Sequence, residues 1–229
     1  MLGGGVVAAI VAVTVAVAVS GGHGSANAAL GGTLNGSSFS SRLFAGIPQH
    51  GTVLGRPDAP VRIVEFADLQ CPYCQEYTAQ ALPQLVRDYV RTGKAQMQFE
   101  NLSFIGPDSV RAGRVAAAAA AQNKLWNFVD LVYLNQGTEN TGYATPSYLR
   151  RVLQAIPGLD VAGALHASET PAAEAALADA TTVAAQDGIN ATPSFLIGPR
   201  DGPLRQFQPP SLTAAPFADA LRGVLGGSR

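Results

Sequence analysis

The sequence predicts an α/β domain whose β-α-β and β-β-α halves are separated by an all-helical insertion. Three observations predict it. Residues 61–102 read as strand, helix, strand; residues 107–188 read as helix almost throughout; residues 194–225 revert to two strands and a helix. A helix crossing between the first two strands implies a parallel pair in the sheet. No internal repeat is visible, so the pattern is one domain with an insertion and not two independent domains.

The 229 residues are 47% hydrophobic, enough to bury one core without a framework of disulfides. Only 14% are charged, and the formal net charge is −1. Neither a basic footprint for nucleic acid nor an acidic tail is present, so nucleic-acid binding is not expected.

Residues 1–28 differ from the rest. The run at 6–19 (VVAAIVAVTVAVAV) is apolar apart from Thr14, and Ala26-Asn27-Ala28 has the A-x-A pattern of a signal-peptidase site. Its length suits a signal h-region and is short for a span of about 20 apolar residues. The first Lys or Arg is Arg42, so the expected basic n-region is missing and the true start is expected upstream. Residues 1–28 are therefore read as a signal peptide or membrane anchor and residues 29–45 as a flexible linker, with the domain at 46–229. The domain is then extracytoplasmic, where disulfides persist.

Within the domain, residues 61–66 (VRIVEF) are short, β-branched and mostly apolar, as a buried central strand requires. A helix follows from Cys71, with Pro72 at its first position, where a missing N–H costs nothing. Tyr77, Ala81, Leu82, Leu85, Val86 and Tyr89 give it an apolar face, Pro83 should kink it, and Thr92-Gly93 should end it. Residues 95–102 form the next strand. The insertion, at about 107–188, holds six consecutive alanines at 116–121 and the large apolar run LWNFVDLVYL at 125–134. Trp126 and its aromatic neighbours are read as core and not as a binding stripe. Thr145-Pro146 and Thr170-Pro171 read as helix starts, Gly158 and Gly188 as stops. Residues 194–197 are a strand, 204–207 its hairpin partner, and Thr213 opens a last helix that Gly226-Gly227 should end.

The two cysteines, Cys71 and Cys74, carry the chemistry. A bridge between residues three apart closes almost no loop, so a structural staple gains little. Zinc needs four ligands, and His23, His50 and His166 are scattered, so no metal site is expected. Haem attachment needs histidine where Gln75 stands. A redox dithiol fits best. At a helix N-terminus the Cys71 sulfur meets unpaired N–H groups and the positive end of the dipole, which favours the attacking thiolate. Cys74, one turn in, should be more buried and act as the resolving thiol. Asp68 and Glu76, flanking the helix start, are read as adjusting its electrostatics.

The stretch Glu65-Phe66-Ala67-Asp68-Leu69-Gln70-Cys71-Pro72-Tyr73-Cys74 resembles the active site of thioredoxin-fold, DsbA-like oxidoreductases. The lead-in at 53–61 (VLGRPDAPV) is similar to that of a bacterial subgroup often exported or anchored. Residues 188–197 (GINATPSFLI) resemble the family's cis-proline loop, and the likeness covers roughly residues 46–225. The distance from Cys71 to Pro193 exceeds that of a minimal thioredoxin and suits a helical insertion. The resemblance implies a thioredoxin-like fold, a cis Thr192-Pro193 bond facing Cys71, and a buried acid at Glu65, whose raised pKa suits it to exchange a proton with Cys74. It implies substrate contact through Thr192, Pro193, Pro72 and an exposed Tyr73.

The expected function is an extracytoplasmic thiol:disulfide oxidoreductase that passes the Cys71–Cys74 disulfide to exported proteins with free thiols. The resemblance implies a membrane quinone-linked reoxidant and no soluble cofactor, with possible anchoring through residues 6–19. A reductase or isomerase of the same fold, or a non-catalytic binding module for exported proteins, are the alternatives.

Overall fold

The structure, a computed structural model, describes residues 34–227. The apolar run at 6–19, the A-x-A site and the first part of the expected linker lie outside these residues. The rest of that linker is a correction. Ser37–Phe44 form a helix, α1, that opens at Gly36 in the left-handed conformation and buries Ser40, Leu43 and Phe44. Fully burying apolar side chains such as Leu43 and Phe44 contributes about 1.5–3 kcal/mol each. Arg91 donates to the Leu43 and Ala45 carbonyls at 2.8 and 2.9 Å and so closes the helix's C-terminal end.

The chain then forms an edge hairpin that the sequence reading did not resolve: β1 (Gln49–His50) and β2 (Val53–Leu54), turned at Gly51. The expected strand is β3 (Val61–Ala67), followed by α2 (Pro72–Gln80), α3 (Leu82–Leu85), a π-helical turn at Val86–Val90 and β4 (Ala95–Asn101). Pro83 breaks the long helix as expected, because it has no N–H for the Ala79 carbonyl. Gly93, at φ 71°, ends the segment.

The insertion consists of α4 (Pro107–Ala121), α5 (Leu125–Leu134), α6 (Pro146–Gln154), α7 (Val161–Ser168) and α8 (Pro171–Gln186). The alanine run lets α4 pack closely, and Gly113 takes this furthest: a Cβ there would lie 2.4 Å from the Asn101 amide nitrogen. Thr145 caps α6 by accepting from the Tyr148 N–H at 3.1 Å. Thr170 does not cap in this way; its hydroxyl donates back to the Ala167 carbonyl. The chain closes with β5 (Ser194–Pro199), β6 (Arg205–Phe207) and α9 (Ala214–Gly227), which continues through the glycine pair expected to stop it.

Among the described residues the strands form one sheet in the order β1-β2-β4-β3-β5-β6. β3 runs parallel to β4 and antiparallel to β5, so it is central and covered on both edges. Alternate residues of β3 face opposite layers. Ile63 and Ala67 join the large core under α2, α5 and α9, whereas Val64 and Phe66 join a smaller cluster with Ala180 and Ala184 of α8. Glu65 points to the same side as Ile63 and Ala67. Trp126 is buried there as core, its indole N–H donating to the Thr52 carbonyl.

Candidate active site

β3 ends at Ala67 and α2 starts at Pro72, and the intervening turn carries the chemistry. Cys71 is the N-cap of α2: its backbone is extended, and its Sγ accepts from the Cys74 N–H at 3.4 Å. On the other side, the Cys71 thiol donates to the Thr192 carbonyl at 3.5 Å. The Thr192-Pro193 bond is cis. Two motifs 121 residues apart therefore meet at one sulfur.

The two cysteines, both free thiols, are treated oppositely. The Cys71 thiol is pushed down to about 6, first by its hydrogen bond with the Cys74 side chain, with Thr192 and the Cys74 and Tyr73 backbone adding to it and burial opposing it. The Cys74 thiol is held well above its ordinary value, first by burial, then by Cys71 and by the charge of Glu65. Cys74 is the more enclosed of the two, at 0% exposure against 3%.

Glu65 is 1% exposed on the central strand. Its carboxyl is pushed up to about 8, mainly by burial and then by a charge on Cys71. Tyr73 stands out between the cysteines at 63% exposure, and Phe104 reaches 56% on the loop after β4. A groove of about 350 Å³ runs from Tyr73 and Pro193 past Ile189 and Phe207 to Pro209 and Leu212.

Sequence reading missed the polar network that holds the turn. Asp68 is fully buried and does more than adjust the electrostatics of α2. Its Oδ1 accepts from the Gln70 N–H at 2.8 Å and the Ser109 hydroxyl at 2.6 Å. Its Oδ2 accepts from the N–H groups of Phe104 and Ile105, both at 3.0 Å. Its backbone carbonyl accepts from the Cys71 N–H at 2.9 Å and the Tyr133 hydroxyl at 3.0 Å. The insertion supplies further ties: Tyr143 and Gln136 both donate to the Leu69 carbonyl at 3.0 Å, and Gln75 donates to the Tyr133 carbonyl at 2.8 Å. Gln70 is buried between Ser109, to which it donates, and the Asn140 N–H, from which it accepts. The only hint in the sequence was a run of polar residues beside a buried strand.

Among the described residues, no three His, Cys, Asp or Glu side chains gather as metal ligands would, and no helix is long and apolar enough to cross a membrane.

Residues 49–203 match the family model described as Thioredoxin. The chain is 37% identical over 111 residues to the probable disulfide bond formation protein D of Bacillus cereus, covering 47% of this chain and 51% of that protein. It thus spans about half the length of the curated relatives it matches. Its fold is similar to that of oxidised BdbD from Bacillus subtilis, with a TM-score of 0.68 and 20% identity over 79% of this chain and 98% of that one. A thioredoxin-like oxidoreductase from Silicibacter pomeroyi aligns with a TM-score of 0.59 and 26% identity over 81% of this chain and 97% of that one.

Proposed function

Because the chain belongs to the thioredoxin family over residues 49–203, we propose that it is an extracytoplasmic thiol:disulfide oxidoreductase that passes a Cys71–Cys74 disulfide to substrate proteins. The observation that carries this reading is the opposed pair of thiols, Cys71 low and Cys74 high, at one helix start. The relatives named for disulfide bond formation support the same reading.

The reaction follows from the site. In the oxidised enzyme a substrate thiolate attacks Cys71 Sγ, the Cys71–Cys74 bond breaks, and the electron pair leaves on Cys74 Sγ. Cys74 is too buried to remain a thiolate, so it takes a proton from the Glu65 carboxyl, which near neutral pH is mostly protonated. A second substrate thiolate then attacks the substrate sulfur of the mixed disulfide, and Cys71 leaves as thiolate. The substrate gains a disulfide, and of its two thiol protons one replenishes Glu65 and one is released.

A thiol whose pKa falls from 9.0 to about 6 is mostly thiolate at pH 7. That favours the reduced enzyme by about 1.4 kcal/mol, roughly 30 mV toward an oxidant. Thr192 and Pro193 receive an extended substrate segment, with the groove beyond Tyr73 and Pro193 seating its apolar side chains. Exported proteins with free thiols are the substrates, and a membrane quinone-linked partner reoxidises the dithiol. Residues 6–19 serve as export signal or anchor.

The reduction potential tests the direction: a value above about −200 mV fits a donor of disulfides, and one below about −250 mV replaces it with a reductase. A Cys74→Ser variant tests catalysis itself. It should accumulate mixed disulfides at Cys71 with client proteins, and a variant that traps none leaves only a binding module.

A further inference from the structure

Tyr77 lies on α2 one turn beyond Cys74, and its ring packs 4.7 Å from Phe195 and 5.0 Å from Phe217. Phe195 is the residue directly opposite Glu65 across the β3–β5 ladder. Tyr77 and Cys74 therefore belong to the same apolar core that Glu65 faces from the central strand, with Phe195 beside it and Phe217 of α9 behind. Tyr77 is fully enclosed there, and neither its hydroxyl nor Glu65 Oε1 has a hydrogen-bond partner among the described residues.

A phenylalanine would fill this space equally well. An unpaired buried hydroxyl is costly, and an unpaired buried carboxyl in the same core adds to that cost. Each group is what the other lacks. A carboxylic acid donates to a phenol oxygen, and a phenol donates to a carboxylate. Their closeness is also felt electrostatically, since the charge of Glu65 raises the Tyr77 phenol further above its ordinary value.

We propose that Tyr77 is a positioning residue for the Glu65 proton: its hydroxyl donates, directly or through one water, to the carboxylate that remains once Glu65 has protonated Cys74. The inference rests on the disulfide-exchange reading above for its timing, and on the core packing and the two unpaired polar groups alone for the contact. In the step itself the Cys74 thiolate and the Glu65 acid become a Cys74 thiol and a Glu65 carboxylate. The phenol keeps its own proton and only turns it toward the new charge. When Glu65 regains a proton, the hydrogen bond reverses.

The test is Tyr77→Phe in the full chain, which removes one oxygen and leaves the ring contacts in place. The first readout is the carbon-13 titration of the Glu65 carboxyl in the reduced protein, assigned by the signal that Glu65→Gln abolishes. The midpoint should lie about one unit higher in Tyr77→Phe than in the parent, because the carboxylate loses its charge-assisted donor. The second readout is the pH profile of disulfide opening by a substrate dithiol, whose alkaline limb should move up with the carboxyl. A midpoint that stays within about 0.3 units of the parent, or falls, overturns the inference, since a merely structural ring would leave it unmoved. A parent protein that transfers no disulfide would overturn the functional reading instead, and the titration would still decide the role of Tyr77.

Discussion

Glu65 and Asp68 are two acids three residues apart, both buried, and the protein surrounds them in opposite ways. Asp68 ends the strand in a shell of four donors, drawn from the turn itself, the loop after β4 and the first turn of α4. Glu65 faces the apolar core, and its Oε1 has no partner among the described residues. Burial alone does not decide what a carboxyl does; the number of donors aimed at it does. The first arrangement fixes a backbone turn, and the second holds a proton. Cys71 and Cys74 stand just past them, one thiol favouring the charged form and the other the neutral form.

The largest expected loss comes from removing the shared acceptor. Asp68→Ala leaves two loop N–H groups, the Gln70 N–H and the Ser109 hydroxyl without their acceptor, and should destabilise the fold by about 4 kcal/mol in urea denaturation. Asp68→Asn should recover no more than half of that, because its NH2 would face either the Phe104 and Ile105 N–H groups or the Gln70 N–H and the Ser109 hydroxyl. A loss below about 1 kcal/mol for Asp68→Ala would end the distinction between the two acids.

Glu65 should respond with the opposite sign and only at high pH. Its carboxyl titrates at about 8 in the folded protein against an ordinary 4.5, so the folded state binds the proton more tightly. The carboxyl therefore costs nothing below pH 4.5, destabilises increasingly as pH rises toward 8, and carries its full penalty above that. Glu65→Gln removes the penalty. The variant should match the parent at pH 4 and exceed its stability by roughly 4–5 kcal/mol at pH 9. Part of the shift comes from charge on Cys71, so the gain should be smaller when both proteins are oxidised. Equal stabilities at pH 9 would mean that the surroundings of Glu65 solvate the carboxylate after all.

The contrast also separates what the sequence made legible from what it did not. Cys71 and Cys74 stood out because they sit at a helix start after a buried strand, whereas Glu65 and Thr192-Pro193 were singled out through the resemblance to DsbA-like oxidoreductases. Asp68 was visible in the same stretch, but its partners Phe104, Ile105 and Ser109 lie 36, 37 and 41 positions away, and no local period encodes such pairings. Tyr133 and Gln136 were unreadable for the same reason, their side chains returning to the turn from the insertion. α1 was missed because its serines and flanking glycines resemble a linker, while its docking depends on a few buried residues and on Asn35 and Asn135 bonding to each other. The halves of the domain were encoded locally and the clamp between them was not.

The smallest expected effect tests that clamp one bond at a time. The Leu69 carbonyl accepts from both Tyr143 and Gln136, so either donor can be lost without leaving it bare. Tyr143→Phe removes one of the two and should cost about 1 kcal/mol, with Cys71 still titrating near 6. Gln136 also donates to the Cys71 carbonyl at 3.3 Å, so Gln136→Ala should cost slightly more. The double variant should cost clearly more than the sum, because only then does the buried Leu69 carbonyl lose every side-chain donor. Additive losses would mean that the insertion merely packs beside the redox turn; a synergistic loss would mean that it holds the turn in place.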